Sequence, residues 1–372
     1  MINLVVFVIG FMLLSPTMEQ IRVAKDGSGF VLDRSERPFH PWGFNYGPSN
    51  RLLEDDWDTS WPAMVADFHE MKALGANVVR LHLQLGKFMV GPDQPNWKAL
   101  KHLRRLVKLA ERTGLYLDVT GLGCYRPSDV PAWYDALDQP GRWAAQARFW
   151  EAVAAQCAPS HAIFCYDLMN EPLVPAGRRE PGQWYSGKLF GGYDFLQWIS
   201  LDQAGRPREE LACRWIRELT AAIRKYDRRH LITVGLLPST AQWGHFSGFV
   251  PKAVAPELDF ISVHIYPEKG KVPEAVKTLK GFAVGPPLVV EESFPLSCPA
   301  SDLEEFLLQS RGIACGWLGH YFGQTPEQFE ALRRAKQLTI PQALMSDWLE
   351  LFGKLKPLMT GEPLPAKRKQ KK

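Results

Sequence analysis

Two glutamates, each at the end of a short apolar segment, could act together as a catalytic pair. Glu171 follows the largely apolar run 162–169 and Asn170 and precedes Pro172, and Glu292 follows a second apolar run, 288–290, and Glu291. Taken alone, Glu171 is equally well explained as a paired carboxylate at a strand end, because an unpaired buried acid is costly. Two carboxyl groups that face each other across a cleft are what glycoside hydrolysis requires. One donates a proton to the leaving oxygen, and in the retaining version the other attacks the anomeric carbon.

Polar and aromatic side chains near the ends of other short segments could complete this pair. Arg80 could hold Glu292 ionised, because a nearby opposite charge lowers the pKa of a carboxyl group. Tyr266 could donate a hydrogen bond to that carboxylate, and Asn170 could hold a sugar 2-hydroxyl. Trp317 could form the floor under the sugar, although Trp317 and Tyr266 could equally be packing residues and Arg80 could bridge strands. The predicted substrate-binding residues are Asn45, Arg80, Asn170, His264, Tyr266 and Trp317.

These residues fall on a repeating pattern of short strands and amphipathic helices. The pattern predicts helices at about 62–74, from about 100 to a stop at Gly114, 142–156 and 207–226. It predicts strands at about 42–46, 78–83, 115–120, 162–170, 231–236, 260–266, 288–292 and 313–318. Eight strands alternating with helices favour an α/β fold, a (β/α)8 TIM barrel over 20–358. In such a barrel the carboxyl ends of the strands meet at one face, where catalytic residues lie.

Two further segments bear on this barrel. A hairpin is predicted over 21–37. The irregular stretch 173–205 is rich in aromatic residues, which favours an ordered lid or groove wall, since long loops inside a compact domain are usually functional or disordered.

The composition excludes several classes of protein. The chain has 372 residues, 46% of them hydrophobic, and a net charge of +4, which gives no reason to expect a nucleic-acid partner. Thirteen tryptophans, several beside turn residues (for example Trp57, Trp184 and Trp243), indicate a groove lined with flat rings that could stack on sugars. The nine histidines and six cysteines show no metal-ligand or redox spacing, and no cofactor motif or obligate protein partner is indicated. The sequence leaves open whether any of the six cysteines form disulfides.

The two ends of the chain differ from the rest. Residues 4–14 are almost wholly apolar, which predicts a signal peptide or N-terminal anchor over 1–19 and a secreted, periplasmic or membrane-tethered protein. The n-region lacks a lysine or arginine, so an anchor stays an alternative. The end of the chain, 359–372, is basic and is predicted to be a disordered tail.

In order along the chain, these motifs resemble glycoside hydrolase family 5, the cellulase and mannanase family. The matching pieces are Gly43-Phe44-Asn45, Asn77-Val78-Val79-Arg80, Leu168-Met169-Asn170-Glu171-Pro172, His264-Ile265-Tyr266, Pro287-Leu288-Val289-Val290-Glu291-Glu292 and Gly316-Trp317. The resemblance implies a (β/α)8 barrel and a retaining mechanism, with Glu171 as acid/base and Glu292 as nucleophile. Glu291 is the competitor for the second role. Because adjacent strand residues point to opposite sides, only one of the two should face the cleft.

The chain departs from the family at two places. Ser293-Phe294-Pro295 follows Glu292, where the family usually has an aromatic residue and then glycine. Thr120-Gly121-Leu122-Gly123 stands where the family often has a histidine. The resemblance therefore implies a retaining glycoside hydrolase of a β-linked glycan, such as a β-mannan or β-glucan, and leaves the sugar and endo or exo action open. The alternatives are a non-catalytic carbohydrate-binding protein on a degenerate barrel and a metal-dependent barrel enzyme.

Overall fold

The computed structural model describes residues 18–47, 51–238 and 246–362. The apolar run 4–14, Trp243 and the lysine-rich end of the chain lie outside these ranges. Within them, no helix is both long enough and apolar enough to cross a membrane.

A small antiparallel sheet opens the described chain. Its strands are β1 (Ile21–Val23), β2 (Phe30–Leu32) and β3 (Pro38–Phe39). The predicted hairpin is confirmed, since β1 pairs with β2 and Ile21 lies opposite Leu32.

Eight parallel strands then close into a barrel in which each strand pairs with the next along the chain and the last pairs with the first. They are β4 (Trp42–Tyr46), β5 (Val78–Gln84), β6 (Tyr116–Gly123), β7 (Ile163–Asn170), β8 (Leu231–Leu236), β9 (Ile261–His264), β10 (Leu288–Glu292) and β11 (Gly316–Tyr321). The predicted (β/α)8 barrel is therefore confirmed. All predicted strand ends agree within three residues, and β11 is the one strand shifted by three residues at both ends.

Eight helices of nine or more residues surround the barrel or close the chain. They are α1 (Trp61–Ala73), α2 (Trp97–Thr113), α3 (Gln139–Cys157), α4 (Arg208–Arg224), α5 (Val272–Lys280), α6 (Ala300–Ser310), α7 (Pro326–Arg334) and α8 (Ile340–Thr360) among the described residues. Short helical turns occupy Leu53–Asp56, Leu85–Phe88, Pro127–Asp129, Ala132–Asp135, Pro251–Val254 and Ala255–Glu257, and two-strand ribbons join Met89–Gly91 to Gln94–Pro95 and Pro172–Leu173 to Gln197–Trp198.

The opening sheet plugs the barrel at the amino ends of its strands. Phe30 packs edge-on against Phe164 and Phe260, with ring centroids 5.2 and 5.3 Å apart, and these two rings stack on each other. All three are buried in one apolar cluster with the first residues of several barrel strands. Because this end is closed by apolar side chains, polar groups inside the barrel are accessible only from the carboxyl ends of the strands.

The structure decides two further points, one about tryptophans and one about cysteines. Trp57 and Trp184 are 3% and 1% exposed, so both belong to the core rather than to a groove lining. All six cysteines are in the described part of the chain and none forms a disulfide.

Candidate active site

Seven of the eight predicted site residues come together at the carboxyl ends of the strands. Asn45, Arg80, Asn170, Glu171, His264, Tyr266 and Glu292 are joined by direct hydrogen bonds or ion pairs. The sequence segments that carry them are spread over some 250 residues, and the closed barrel brings them into contact.

Arg80 is the central cation of the site. Its side chain, from the middle of β5, is fully buried. Nη1 donates to Glu292 Oε1 at 2.5 Å and to Asn45 Oδ1 at 2.8 Å, and Nη2 donates to Asp167 Oδ2 at 2.7 Å and to Asn170 Oδ1 at 3.1 Å. A guanidinium group suits this position because its donors form a rigid, planar fork. It fixes the nucleophile candidate and the amide of Asn170 in one frame.

Glu292 is held in the ionised form by its neighbours. Burial alone would raise the pKa of its carboxyl group, but the charges of His264 and Arg80 lower it well below the usual range. Tyr266 donates its hydroxyl hydrogen to Glu292 Oε2 at 2.5 Å. Burial and the charge of Glu292 raise the pKa of Tyr266, so the phenol keeps the proton that it donates. The predicted contacts from Arg80 and Tyr266 are both present.

Glu171 lies just past the end of β7 in an uncommon backbone conformation. Its φ is +46°, in the left-handed region that non-glycine residues seldom occupy. Its N–H donates to the carbonyl of Gly235 on the neighbouring strand at 2.8 Å, which fixes this turn. Glu171 Oε1, Glu292 and His264 each place one polar atom within 4.8 Å of the others. The two carboxyl groups are therefore close neighbours at the carboxyl ends of the strands.

His264 gives Glu171 a cationic partner that the sequence did not indicate. Its Nδ1 lies 2.8 Å from Glu171 Oε1 and 3.7 Å from Glu292 Oε2. Burial would lower the pKa of His264, but Glu292 and the hydrogen bond to Glu171 raise it to about 10. The strand that precedes Glu171 supplies no cation beside it, whereas β9 ends with this ring directly against its carboxyl group.

Trp317 is the one predicted residue that the structure does not bring to the site. Its indole N–H donates to Ser310 Oγ at 2.8 Å, at the end of α6, and its ring packs in the core outside the barrel. The floor role predicted for Trp317 is therefore wrong. Strand β11 ends at Tyr321 rather than at 318, so His320 is the residue of this strand at the cleft, 3.0 Å from the hydroxyl of Tyr266.

A second group of acids, beneath Glu292, was missed. One oxygen each of Asp118, Asp167 and Glu291 lies within 4.8 Å of the others, and all three side chains are buried. Burial raises the pKa of Asp167 to about 6, and burial with the charge of Glu291 raises that of Asp118. The alignment of β5 with β6 would have indicated Asp118, because this residue lies directly opposite Arg80 on the neighbouring strand.

Glu291 also faces the barrel interior, contrary to the expectation from simple alternation. It lies 3.6 Å from Arg80 Nη2 and 3.4 Å from His264 Nε2, whereas Glu292 is the one of the pair with any exposure, 9%. Gly235 makes room for this arrangement, since a Cβ there would lie 2.9 Å from the polar atoms of Arg80, Glu291 and His264.

The stretch 173–205 forms a wall beside the site. It contains no α-helix, and Asp194 fixes its tip by accepting hydrogen bonds from Ser186 and the N–H of Gly187, both at 2.6 Å. The ring of Phe195 packs 4.9 Å from that of Tyr125. Asn170 donates to the carbonyl of Phe195 at 3.4 Å, so the wall reaches the cluster around Arg80.

Glu171, His264 and Glu292 are spaced closely enough to bind a divalent cation. His264, however, already pairs with both glutamates, and Glu292 also pairs with Arg80. A cation there would have to displace these ion pairs, so the arrangement suits proton transfer and nucleophilic attack better than metal binding.

Several solved structures share this fold. An exo-β-1,4-mannosidase from Opitutaceae bacterium strain TAV5 superposes with a TM-score of 0.66 at 18% identity, covering 91% of this chain and 62% of that one. A β-1,4-mannanase from the sea hare Aplysia kurodai gives a TM-score of 0.62 at 14% identity, covering 93% and 99%. An endo-1,4-β-mannanase from Rhizomucor miehei gives 0.58 at 18% identity, covering 81% and 90%.

One curated protein matches at the sequence level. Mannan endo-1,4-β-mannosidase 2 from Arabidopsis thaliana is 41% identical over 68 residues, which cover 14% of this chain and 16% of that protein. The chain thus spans about one sixth of the length of that relative.

The model of one protein family matches residues 33–274, more than half of the chain. The match takes in β4 to β9, with Arg80, Glu171 and His264, and stops before Glu292. The description of that model is cellulase, glycosyl hydrolase family 5. This chain therefore belongs to glycosyl hydrolase family 5.

Proposed function

We propose that this protein is a retaining glycoside hydrolase that cleaves a β-linked glycan of the mannan type, with Glu171 as acid/base and Glu292 as nucleophile. The observation that carries the proposal is the spacing of the two carboxyl groups, which have oxygens within 4.8 Å of each other. Retaining enzymes separate these groups by about 5–5.5 Å, whereas inverting enzymes need about 6.5–9.5 Å to admit a water molecule.

The electrostatics suit the first step. Glu292, kept ionised by Arg80 and His264, attacks the anomeric carbon and forms a glycosyl ester as the bond to the leaving oxygen breaks. Glu171 gives its proton to that oxygen, so the aglycone departs as an alcohol. Asn170, oriented by Arg80 at 3.1 Å, lies where it can bind the 2-hydroxyl of the sugar.

The second step returns the enzyme to its starting state. Glu171, now ionised, takes a proton from a water molecule, and the oxygen of that water attacks the anomeric carbon. The ester bond breaks, Glu292 regains its negative charge, and the sugar leaves with its original anomeric configuration. Tyr266 keeps its hydrogen bond to Glu292 Oε2 and stabilises the charge that returns there.

The choice of mannan over glucan rests on the comparisons. The exo-β-1,4-mannosidase, the two β-mannanases and the Arabidopsis mannosidase all act, by their names, on β-mannosidic bonds. Because the fold does not decide the sugar, the substrate needs a direct assay on β-mannan, cellulose and mixed-linkage β-glucan, with the sizes of the products measured.

The two roles can be tested separately with sodium azide and aryl β-mannosides. In Glu171→Ala, azide should attack the glycosyl ester and give the β-mannosyl azide. In Glu292→Ala, azide should replace the missing nucleophile and give the α-mannosyl azide. Both variants should lose at least about 100-fold in kcat without azide, the range expected for loss of acid–base or nucleophilic catalysis.

Glu151→Gln is a matched control for these substitutions. Glu151 is a buried glutamate on α3, bound to Lys225 at 2.5 Å and remote from the cleft, so its loss should lower stability and leave turnover intact. Azide products of the opposite configuration would exchange the two roles. Wild-type protein that binds these glycans and releases no product would instead support the non-catalytic alternative.

A further inference from the structure

The two adjacent glutamates at the end of β10 have different hydrogen-bond partners, although both lie within ion-pair distance of Arg80 and His264. Glu292 binds Arg80 and Tyr266. Glu291 Oε2 lies 3.4 Å from Nε2 of His264, and the opposite ring nitrogen of His264, Nδ1, lies 2.8 Å from Glu171 Oε1. One histidine ring therefore links the buried Glu291 to the acid/base candidate.

We propose that Glu291 is a positioning residue for the acid/base Glu171 and acts through His264. This inference rests on the proposed function, because it assigns Glu171 the acid/base role. Glu291 itself is fully buried beneath the site and does not reach the substrate.

The geometry leaves the histidine ring one useful orientation. With Nε2–H directed at Glu291, the other ring nitrogen, Nδ1, faces Glu171, since each nitrogen lies within hydrogen-bond distance of one of these carboxyl groups. A histidine with acceptors on both sides donates from both nitrogens only when it is protonated. Glu291 thus fixes both the direction of the ring and its charge, as the carboxylate partner of a catalytic histidine generally does.

The surroundings of His264 agree with a protonated ring. The carboxyl groups of Glu171, Glu291 and Glu292 face it, and Arg80, His82 and His320 are the positive or titratable groups near it. Burial and the charge of Arg80 lower the pKa of His82, and burial lowers that of His320, so those two rings are neutral. Of these three histidines, only His264 is positively charged, and its ring contacts Glu171.

Burial places Glu291 where its charge is most effective. Its Oε1 has no hydrogen-bond partner among the described residues, and its Oε2 has only Arg80 and His264 within ion-pair distance. Because water does not reach this carboxylate, its interaction with His264 is weakly screened. The pair is therefore a fixed part of the site rather than a surface contact.

The test compares Glu291→Gln with wild type on two β-mannosides that differ in their leaving group. A dinitrophenyl group leaves without help from an acid, whereas an alkyl alcohol needs the proton of Glu171. If Glu291 acts through Glu171, kcat/KM should fall at least tenfold more for the alkyl mannoside, a part of the roughly 10²–10⁴-fold that acid–base catalysis contributes. Equal losses on both substrates would overturn the proposal.

A second readout does not depend on turnover. In wild-type protein with ¹⁵N-labelled histidine, both nitrogens of His264 should be protonated at neutral pH. In Glu291→Gln the protonation midpoint should fall by at least about one pH unit, as expected for loss of an opposite charge at this distance. An unprotonated Nε2 of His264 in the wild-type protein at neutral pH would overturn the proposal. This result does not require the variant to fold.

Asp227→Asn is the matched control. Asp227 is a buried acid that contacts His230 Nδ1 at 2.5 Å, in a pair outside the site. Loss of Asp227 should lower stability and leave unchanged the ratio of kcat/KM for the dinitrophenyl mannoside to that for the alkyl mannoside. A changed ratio in this control would show that the ratio follows stability, and the kinetic result would then no longer support the proposal. Absence of turnover on every glycoside would refute the proposed function instead, and the NMR midpoints would then decide the pairing of Glu291 with His264.

Discussion

The protonated His264 makes the stability of this protein depend on pH in a specific window. Burial opposes the charged ring, but the charge of Glu292 and the hydrogen bonds to Glu171 and Glu291 raise its pKa from 6.5 to about 10 on folding. The folded state therefore holds a proton that the unfolded state releases above pH 6.5. The stability that this proton contributes is complete below the unfolded pKa and is lost as the pH rises toward the folded pKa.

The size of this effect follows from the two pKa values. The full rise from 6.5 to about 10 corresponds to roughly 5 kcal/mol at about 1.4 kcal/mol per pH unit. Between pH 6.5 and about pH 8.5, where cysteine thiols in the unfolded chain are not yet mainly ionised, about 2 kcal/mol of it should be lost. Because the ring is fully buried, screening by solvent does not reduce this figure much.

Urea unfolding at a series of pH values measures this loss. The wild-type free energy of unfolding should fall by about 2 kcal/mol more than that of His264→Asn across the window. The variant will be less stable throughout, but only its slope with pH matters, since the other titrating groups are common to both proteins. Equal slopes in the two proteins would refute the assignment of a charged His264 and would leave Arg80 as the main charge that keeps Glu292 ionised.

Three further predictions test particular contacts. Asp118→Asn should change the free energy of unfolding at neutral pH by less than about 1 kcal/mol, because burial keeps Asp118 protonated. Asp167→Asn should cost about 3–5 kcal/mol, because it removes a carboxylate from the buried guanidinium of Arg80. Equal urea midpoints for the two variants would contradict this difference. Gly319→Ala should cost about 1–3 kcal/mol of stability, because its Cβ would lie 2.0 Å from an indole carbon of α8. Gly353→Ala within α8 meets open space and should stabilise the protein by up to about 1 kcal/mol. Thermal unfolding measures both changes. Trp317→Phe should leave kcat/KM unchanged and lower stability by about 1 kcal/mol through the lost hydrogen bond; a large loss of kcat/KM would restore Trp317 to the site.

The barrel was predictable because its strands and helices have distinct periods. The predicted strands 231–236 and 288–292 agree with β8 and β10 to the residue. Gly114 also ends α2 in the left-handed conformation that such a stop requires. The topology of a parallel barrel then brings the carboxyl ends of its strands together at one face, and most of the polar residues of the site lie at those ends.

Residues that depend on the exact length of a strand were not predictable. A shift of three residues in β11 exchanged Trp317 for His320 at the cleft, and nothing in the local sequence Gly316–Tyr321 signals where the strand must stop. The stop is set by pairing, because Tyr321 still lies opposite Tyr46 of β4. Loop wall contacts such as that of Phe195 with Tyr125 were equally hidden, since they join segments that only the fold brings together.

The irregular pairing of β9 with β10 explains why simple alternation fails at Glu291. Val263 lies opposite Val290, but the next residue, His264, lies opposite Glu292, so Glu291 is an extra residue in β10. Such irregularities are common beside active sites, where they turn a side chain in a new direction. A regular strand would have left either Glu291 or Glu292 outside the barrel, and the histidine would have lost one of its two acceptors. The same irregularity thus places the nucleophile candidate in the cleft and a second carboxylate beneath it, which ties the positioning role of Glu291 to backbone geometry.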